Sequence, residues 1–577
     1  MKIKRALSII SASVIIVGSA AIIPSRAASF TVSDTVHLRD SLLGVGTLNE
    51  KDDVNNDGIV NIFDLCAARK LITASTGEIS TADYSATEEY VKLIGRTCRT
   101  DDVTWLVQSG SAAEFTVSGT SASVTLAGNQ GIDASEDYRP RFAVIVDGEI
   151  ILDDTISTKS RTVELFSGTE KRKASVKVIH LSEANNGPIG IKSVTVTSDS
   201  AIPVAPVPKK NLNIEFIGDS ITCAYGVEGA SQYESFKTTT ENFMKSYAYL
   251  TAEKLDADYS AVCYSGHGII SGYSNDGSIN TDSLVPPYYE YVGKTGEFAS
   301  CEWDFSSHKN DVVVINLGTN DSSYVSKDID ARGGDFTKGY TEFLKQVHEC
   351  NPDAYIICTL GTMGCTDLCP LIDDAVSAFT EETGYERIMS YMSAVQDMTA
   401  GLGSDWHPNA VTQQNSAYVL ADKICQALGM ESDQLGLDVA ADAEYSLYKD
   451  PDKGGNAAEY ISDYDKSFWI NMVSGGTGDD AIEGRISNIG IKQNGKYTFS
   501  FDCSTTAGEE IPILIRSCSN PENIYFSDIF TGTGEKSHYE AEFESPVTDN
   551  SAEIVFQVGG TDSYNVTLYS IKLVKIG

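Results

Sequence analysis

The segment Asn213-Ile-Glu-Phe-Ile-Gly-Asp-Ser220 decides how the middle of this chain is read. A mostly apolar run enters Gly-Asp-Ser directly, as a buried parallel strand does when it ends in a tight turn. Asp311-Val-Val-Val-Ile-Asn-Leu317 and Ala354-Tyr-Ile-Ile-Cys358 are runs of the same kind. Between them Phe336, Tyr340, Phe343, Leu344 and Val347 recur at helical spacing, and a further helix is expected from Val411 to Leu428, stopping at Gly429. Alternation of such strands and helices predicts an α/β domain with a parallel sheet over 211–430. In open sheets of this class reactive groups gather beyond the carboxyl ends of the strands, so Ser220 is placed to project its hydroxyl into a crevice.

Three more turns support that placement. Ser265-Gly-His-Gly268 follows an apolar run ending near Tyr264, Gly318-Thr-Asn-Asp321 follows the strand ending at Leu317, and Ser404-Asp-Trp-His-Pro408 precedes the last helix. In order and context the four blocks resemble those of SGNH (GDSL) hydrolases. With Thr240-Glu-Asn-Phe-Met-Lys-Ser-Tyr247 and Asp405-Trp-His-Pro408, they resemble carbohydrate esterase family two most closely. The resemblance implies Ser220 as nucleophile and His407 as general base. It implies an oxyanion hole made by the backbone N–H groups of Ser220 and Gly266 and the side-chain amide of Asn320. It implies removal of acetyl groups from xylan, mannan or related chains through an acetyl-serine intermediate, with no cofactor for catalysis. The superfamily's orienting Asp would fall at Ser404. Asp405 is only two residues before the histidine, so either it orients the imidazole or a backbone carbonyl does, as in some members of this family. Asp219 is read as stabilising its turn, His267 as a cleft-lining residue without a base's role, and Trp406 as an acetyl or sugar wall or a core residue.

The flanks are modular. Asp53, Asn55, Asp57, Ile59, Asn61 and Asp64 occupy loop positions one, three, five, seven, nine and twelve, with Gly58 at the sixth. That spacing wraps oxygen ligands around calcium, Ile59 contributing its carbonyl. Residues 29–76 are similar to a dockerin whose second loop–helix repeat is intact and whose first survives as a helix-like remnant, Val32 to Gly44. The likeness implies structural calcium and a cohesin-bearing scaffold as partner, with Ile62, Phe63, Arg69 and Lys70 at recognition positions. A Ser/Thr-rich linker is expected at 77–86 and an antiparallel β-sandwich of jelly-roll type at 87–200, where apolar and polar residues alternate. A proline-rich connector is expected at 201–210. A second β-sandwich at 441–577 resembles carbohydrate-binding modules, with Trp469, Tyr525 and Tyr539 as stacking or core aromatics.

A chain of 577 residues exceeds one hydrophobic core, in line with several domains. The formal net charge of -38 repels phosphate backbones and argues against a nucleic-acid partner. Lys2, Lys4 and Arg5, an apolar run to about Ile23 and small residues at Ala27-Ala-Ser29 read as a signal peptide over 1–28, hence a secreted, extracellular protein with no membrane association after its removal. A membrane anchor is the competing reading of the same run. Twelve cysteines are scattered without a C-x-x-C pair, and buried thiols and bridges stay equally open. The expectation is a scaffold-associated (cellulosomal) polysaccharide esterase, outside the cell or at its surface. The alternatives are a scaffold-docked glycan-binding protein without activity, or an SGNH lipase or thioesterase.

Overall fold

The computed structural model describes residues 32–44, 47–49, 51–73, 79–441, 443–462, 467–562 and 564–577. The segment read as a signal peptide, 1–28, lies outside them. Among the described residues no helix is long and apolar enough to cross a membrane.

The predicted α/β domain is present. Its five parallel strands are Leu212–Gly218, Ala257–Cys263, Val312–Asn316, Tyr355–Leu360 and Ile388–Met392, in the spatial order second, first, third, fourth, fifth. Gly218 stands opposite Cys263 on one side and Asn316 on the other, so the turns after these three strands leave the sheet at one edge. Both faces are covered. Ile329–Cys350 buries Phe336, Tyr340, Phe343, Leu344 and Val347 on one face, the periodicity read in the sequence. Tyr247–Lys254 and Ala410–Leu428 pack on the other, burying Tyr247, Ala248, Leu420 and Ile424. The last helix starts at Asn409, whose side chain accepts the Thr412 N–H, and ends at Gly429 in the left-handed conformation.

The N-terminal sheet is ten-stranded and antiparallel. Its two long strands, Ala112–Gly128 and Arg161–His180, pair with each other along most of their length. The first half of Ala112–Gly128 also pairs with Lys92–Ile94 and Val204–Pro206, the second half with Ile189–Ser198. The register shifts between Gly119 and Ser121, a bulge that lets one strand serve both layers around a single core. Two expected linkers are corrected here. Ser80–Tyr84, within 77–86, is a strand paired with Ile189–Ser198. Val204–Pro206, within 201–210, is an edge strand, a position that tolerates proline because an edge leaves N–H groups unpaired. Short polar or proline-containing segments carry little strand signal of their own; the neighbouring ladder recruits them.

This sheet and the hydrolase share one apolar cluster, in which Ile94, Ala112, Ala143, Ile179 and Leu181 meet Phe216, Phe243, Tyr247 and Tyr259. Arg96, fully buried, crosses between them. It donates to Glu215 Oε1 at 2.8 Å and to the carbonyls of Tyr289 and Tyr291. Tyr289 O–H donates to the other Glu215 oxygen at 2.7 Å. Arg141 bridges in the same way, to Asp153 and to Glu228 of the hydrolase.

At the N-terminus the stretch read as a remnant repeat contains a helix, Val32–Leu42, and the loop from Asp53 leads into a second helix, Ile62–Thr73. Of the expected recognition residues, Ile62 and Arg69 are exposed. Phe63 instead lines a groove with Tyr84, Tyr90 and Val204, and Lys70 bonds Glu89 and the Tyr90 hydroxyl of the sandwich. The C-terminal domain is two five-stranded antiparallel sheets enclosing a core of Phe468, Ile470, Phe499, Phe501, Ile513, Ile554 and Phe556. Trp469 is exposed there, opposite exposed Tyr460 on the adjoining strand. Tyr525 and Tyr539 pack against the core and donate their hydroxyls to Asp549 and Asp528.

Candidate active site

Ser220 opens a four-residue helix, Ser220–Cys223, immediately after the first hydrolase strand. Asp219 caps it by accepting the Ile221 N–H at 3.0 Å, the turn-stabilising part expected of it. Burial, reinforced by the carboxylate of Asp321, raises the Asp219 pKa to about 7.

His407 reaches Ser220 from the turn before the last helix. Its Nε2 lies 2.9 Å from Ser220 Oγ, across 187 positions of sequence. Its Nδ1 lies 3.0 Å from the backbone carbonyl of Asp405. A carbonyl oxygen only accepts, so Nδ1 carries the proton and Nε2 is left to accept from the serine hydroxyl. Burial lowers the His407 pKa; bonds to the Asp405 and Ser404 carbonyls oppose this with smaller effect. A neutral imidazole in this tautomer can take a proton from an attacking hydroxyl.

The Asp405 carboxylate is turned elsewhere. One oxygen, Oδ2, accepts both the Tyr225 hydroxyl at 2.9 Å and the Phe236 N–H at 3.0 Å. Asp405 adopts φ 50, ψ 40 and Trp406 φ 67, a left-handed pair that aims the Asp405 carbonyl at the imidazole. Asp405 as a side-chain orienting acid is therefore not what the geometry presents. Ser404 is fully buried, and its side chain sits so close to Gly226 and Gly229 that a Cβ on either would overlap it. The position that carries Asp elsewhere in the superfamily has no room for a carboxylate here.

Tyr225 was not foreseen from the sequence. Its ring lies between Phe236, at 4.1 Å, and the His407 imidazole, at 4.2 Å. The Asp405 side chain thus steadies the imidazole by holding Tyr225 and the Phe236 backbone. No motif marks Tyr225. Its nearness to Ser220 in sequence was the one available signal. Trp406 is 46% exposed and meets exposed Tyr233 edge to face at 5.6 Å, so it is not a core residue.

The other two turns converge at the same edge. Asn320 Nδ2 donates to the His267 carbonyl at 2.8 Å and lies 3.3 Å from Asp219 Oδ2. Gly266 has φ +78, a conformation that needs glycine, and nothing lies within 4 Å of where its Cβ would stand. Asp321, fully buried, accepts the N–H groups of Ile269, Ile270 and Ser271 and locks the loop beyond Gly266. Burial raises the pKa of Asp321 to about 6 and lowers that of His267 to about 4. His267 bonds the Ser265 carbonyl through Nδ1 and meets Lys294 Nζ at 2.8 Å through Nε2, so it is a structural part of the loop.

In the N-terminal loop, oxygens of Asp53, Asp57 and Asp64 all lie within 4.8 Å of one another. Asn55 Nδ2 donates to Asp57, Asn61 borders the Ile59 carbonyl, and Asp64 accepts the N–H groups of Val54, Asn55 and Asn61. Gly58 turns the loop at φ +84. Three carboxylates crowded without a basic side chain among them fit a hard divalent cation.

Residues 93–206 match the carbohydrate esterase 2 N-terminal family, 216–414 the GDSL-like lipase/acylhydrolase family, and 451–564 a carbohydrate binding domain. The cellulase/esterase CelE of Acetivibrio thermocellus is 34% identical over 324 residues, 56% of this chain and 37% of its own length. An acetylxylan esterase / glucomannan deacetylase of Cellvibrio japonicus is 27% identical over 287 residues, 49% of this chain and 75% of its own. This chain therefore spans little over a third of the first relative and three quarters of the second. A family two carbohydrate esterase from Clostridium thermocellum, solved in complex with cellohexaose, superposes with a TM-score of 0.51 at 31% identity, over 59% of this chain and 99% of that one. With that coverage and identity, this chain belongs to the family two carbohydrate esterases, carboxylic ester hydrolases with a GDSL-like domain, here followed by a carbohydrate-binding domain.

Proposed function

We propose that this protein is a secreted esterase that removes acetyl groups from plant polysaccharides, acetylated xylan or mannan, through an acetyl-serine intermediate. The observation that carries the reading is the pair of contacts made by His407, to Ser220 Oγ at 2.9 Å and to the Asp405 carbonyl at 3.0 Å. Ser220 attacks the acetyl carbonyl as His407 Nε2 takes its proton. The tetrahedral oxyanion is held by the backbone N–H groups of Ser220 and Gly266 and by Asn320, whose second N–H is engaged only at 3.3 Å by Asp219 and can turn to the new charge. His407 then protonates the sugar oxygen as it leaves, and water released onto the acetyl-serine by the same base completes the cycle. This is a Ser–His dyad in which a backbone carbonyl does the work usually given to a carboxylate.

The polysaccharide assignment rests on the company the site keeps. The acetylxylan esterase / glucomannan deacetylase and the cellohexaose-bound esterase are similar to this chain, and exposed Trp406, next to His407 in the chain, and Tyr233 offer aromatic surface. The carbohydrate-binding domain, with Trp469 and Tyr460 side by side, would hold the enzyme on its polymer. The loop with Asp53, Asn55, Asp57, Ile59, Asn61 and Asp64 would hold calcium, whose charge offsets the repulsion among its carboxylates. In this reading residues 29–76 are a dockerin-like module that attaches the enzyme to a cohesin-bearing scaffold outside the cell, with Ile62 and Arg69, both exposed, among its recognition residues.

Acetate release from acetylated xylan and acetylated mannan tests the reading. Wild type should release acetate from at least one, and Ser220→Ala should lose at least about 1000-fold with its fold intact. Equal activity in Ser220→Ala, or a preference for long acyl esters over acetyl, would overturn it.

A further inference from the structure

Cys98 and Cys301 belong to different domains and lie 203 positions apart. Cys98 is on the strand Thr97–Thr100 of the N-terminal sheet, and Cys301 closes the helical turn Gly296–Ser300 of the hydrolase. Their sulfurs are 2.8 Å apart. Nonbonded carbon atoms rest about 3.5–4.0 Å apart, and sulfur is larger, so two thiols this close stand nearly where a bond would place them. The backbones on both sides are fixed. Trp105, on the strand beside Cys98, packs edge to face on Phe298 at 6.2 Å, with Val292 and Trp303 in the same cluster. Cys301 lies in a hairpin whose strands are stitched by Val292 N–H to Cys301 O and Trp303 N–H to Glu290 O. Both cysteines are half-buried and open to a reagent. Cys223 and Cys263, by contrast, are wholly enclosed behind Ser220.

We propose that Cys98 and Cys301 are joined by a disulfide in the mature protein, fastening the 290–303 hairpin to the N-terminal sheet. The reaction is thiol–disulfide exchange with an oxidised dithiol protein or oxidised glutathione. One cysteine attacks the incoming disulfide as its thiolate and forms a mixed disulfide, releasing the first thiol; the other cysteine then displaces the second, so the two protons and two electrons lost by Cys98 and Cys301 leave on those two thiols as the new bond closes. Burial and the neighbouring sulfur push the Cys98 thiol up to about 12, so exchange is fastest before the two domains close on each other. The hairpin carries Lys294, which meets His267 Nε2 beside Gly266. The bond therefore anchors, from the neighbouring domain, the segment that backs the Gly266 loop.

The test uses the full chain, equilibrated with oxidised and reduced glutathione, denatured in the presence of an alkylating agent and cut with trypsin. The expected product joins the peptide Thr97–Arg99 to Thr295–Lys309 and splits on reduction. Recovery of Cys98 and Cys301 only as alkylated or glutathionylated thiols would overturn the proposal. As a second measurement, reductant should lower the unfolding temperature of the wild type by about 5–10 °C and leave that of the Cys98→Ser/Cys301→Ser variant unchanged. Equal responses in the two would also overturn it.

Discussion

Replacing Asp405 with Asn separates a dyad from a triad with little else disturbed. The two hydrogen bonds made by the Asp405 side chain both end on Oδ2, so an asparagine that places its carbonyl oxygen there keeps both. Asparagine also tolerates the left-handed conformation found at this position. What the substitution removes is the negative charge alone. Two unit charges even as close as 4 Å attract by about 1 kcal/mol in water, and this carboxylate is exposed. Loss of its help to the imidazolium should therefore cost no more than about fivefold in kcat/KM. A carboxylate that fixes the tautomer through Nδ1 costs about 10,000-fold when made an amide. Here the Asp405 carbonyl fixes the tautomer, and no side-chain substitution removes it. The assay is kcat/KM for 4-nitrophenyl acetate, with acetate release from acetylated xylan beside it and the unfolding midpoint as control. A 1000-fold or greater loss in Asp405→Asn with an unchanged midpoint would refute the dyad. Asp405→Ala is the poorer probe. It strands the Phe236 N–H, at about 1–3 kcal/mol, and leaves a non-glycine residue in left-handed backbone without a polar side chain.

Because burial lowers the His407 pKa, the imidazole stays neutral to lower pH than an ordinary histidine, and the acid limb of kcat/KM should have its midpoint below about 6.5; a limb centred above 7 in a pH–rate profile would contradict this. Calorimetric titration of the chelator-stripped chain with calcium should show a binding event that Asp64→Ala abolishes, while ester hydrolysis is the same in both proteins; heat of equal size in the variant would remove the loop as its source. Arg96→Met leaves Glu215 buried and without its cation, so stability should fall by about 3–5 kcal/mol. Thermal unfolding should show the sandwich and hydrolase melting together at a lower temperature, and an unchanged midpoint would deny the ion pair its place at the interface.

The site was legible in the sequence where backbone geometry is written into short motifs. Gly-Asp-Ser220, Ser-Gly266-His-Gly, Gly-Thr-Asn320-Asp and Asp-Trp-His407-Pro each encode a turn at the end of a strand or the start of a helix, and parallel pairing then places the first three at one edge. Tyr225 and Phe236 could not be read, because their role depends on the carboxylate of a residue far along the chain. The orienting group was ambiguous for a related reason. The sequence names side chains, and the group that meets Nδ1 is a carbonyl aimed by two residues with positive φ. In the fold, long alternating strands were evident, whereas Ser80–Tyr84 and Val204–Pro206 were missed. Their strand character comes from the neighbouring ladder and not from their own composition.

The N-terminal sandwich is best understood as a wall of the active site. The loop bearing Gly266 starts at Tyr264, whose hydroxyl accepts from Gln108 of the sandwich at 2.6 Å. The next N–H, at Ser265, is accepted by Glu183 of the sandwich at 2.9 Å. The Glu183 N–H in turn donates to Glu241 of the hydrolase, and burial raises the pKa of both carboxyl groups. An oxyanion donor stabilises the transition state only if it is already in place when charge develops. On the proposed mechanism Gly266 is one such donor, and its loop is held from behind by another domain. Removing that domain would uncover the shared apolar cluster and also release Ser265 and Tyr264 from their partners. The sheet that looks accessory in sequence therefore holds the Gly266 loop in shape, and if that loop supplies the proposed oxyanion donor, a hydrolase domain cut free at residue 211 should lose turnover even where it still folds.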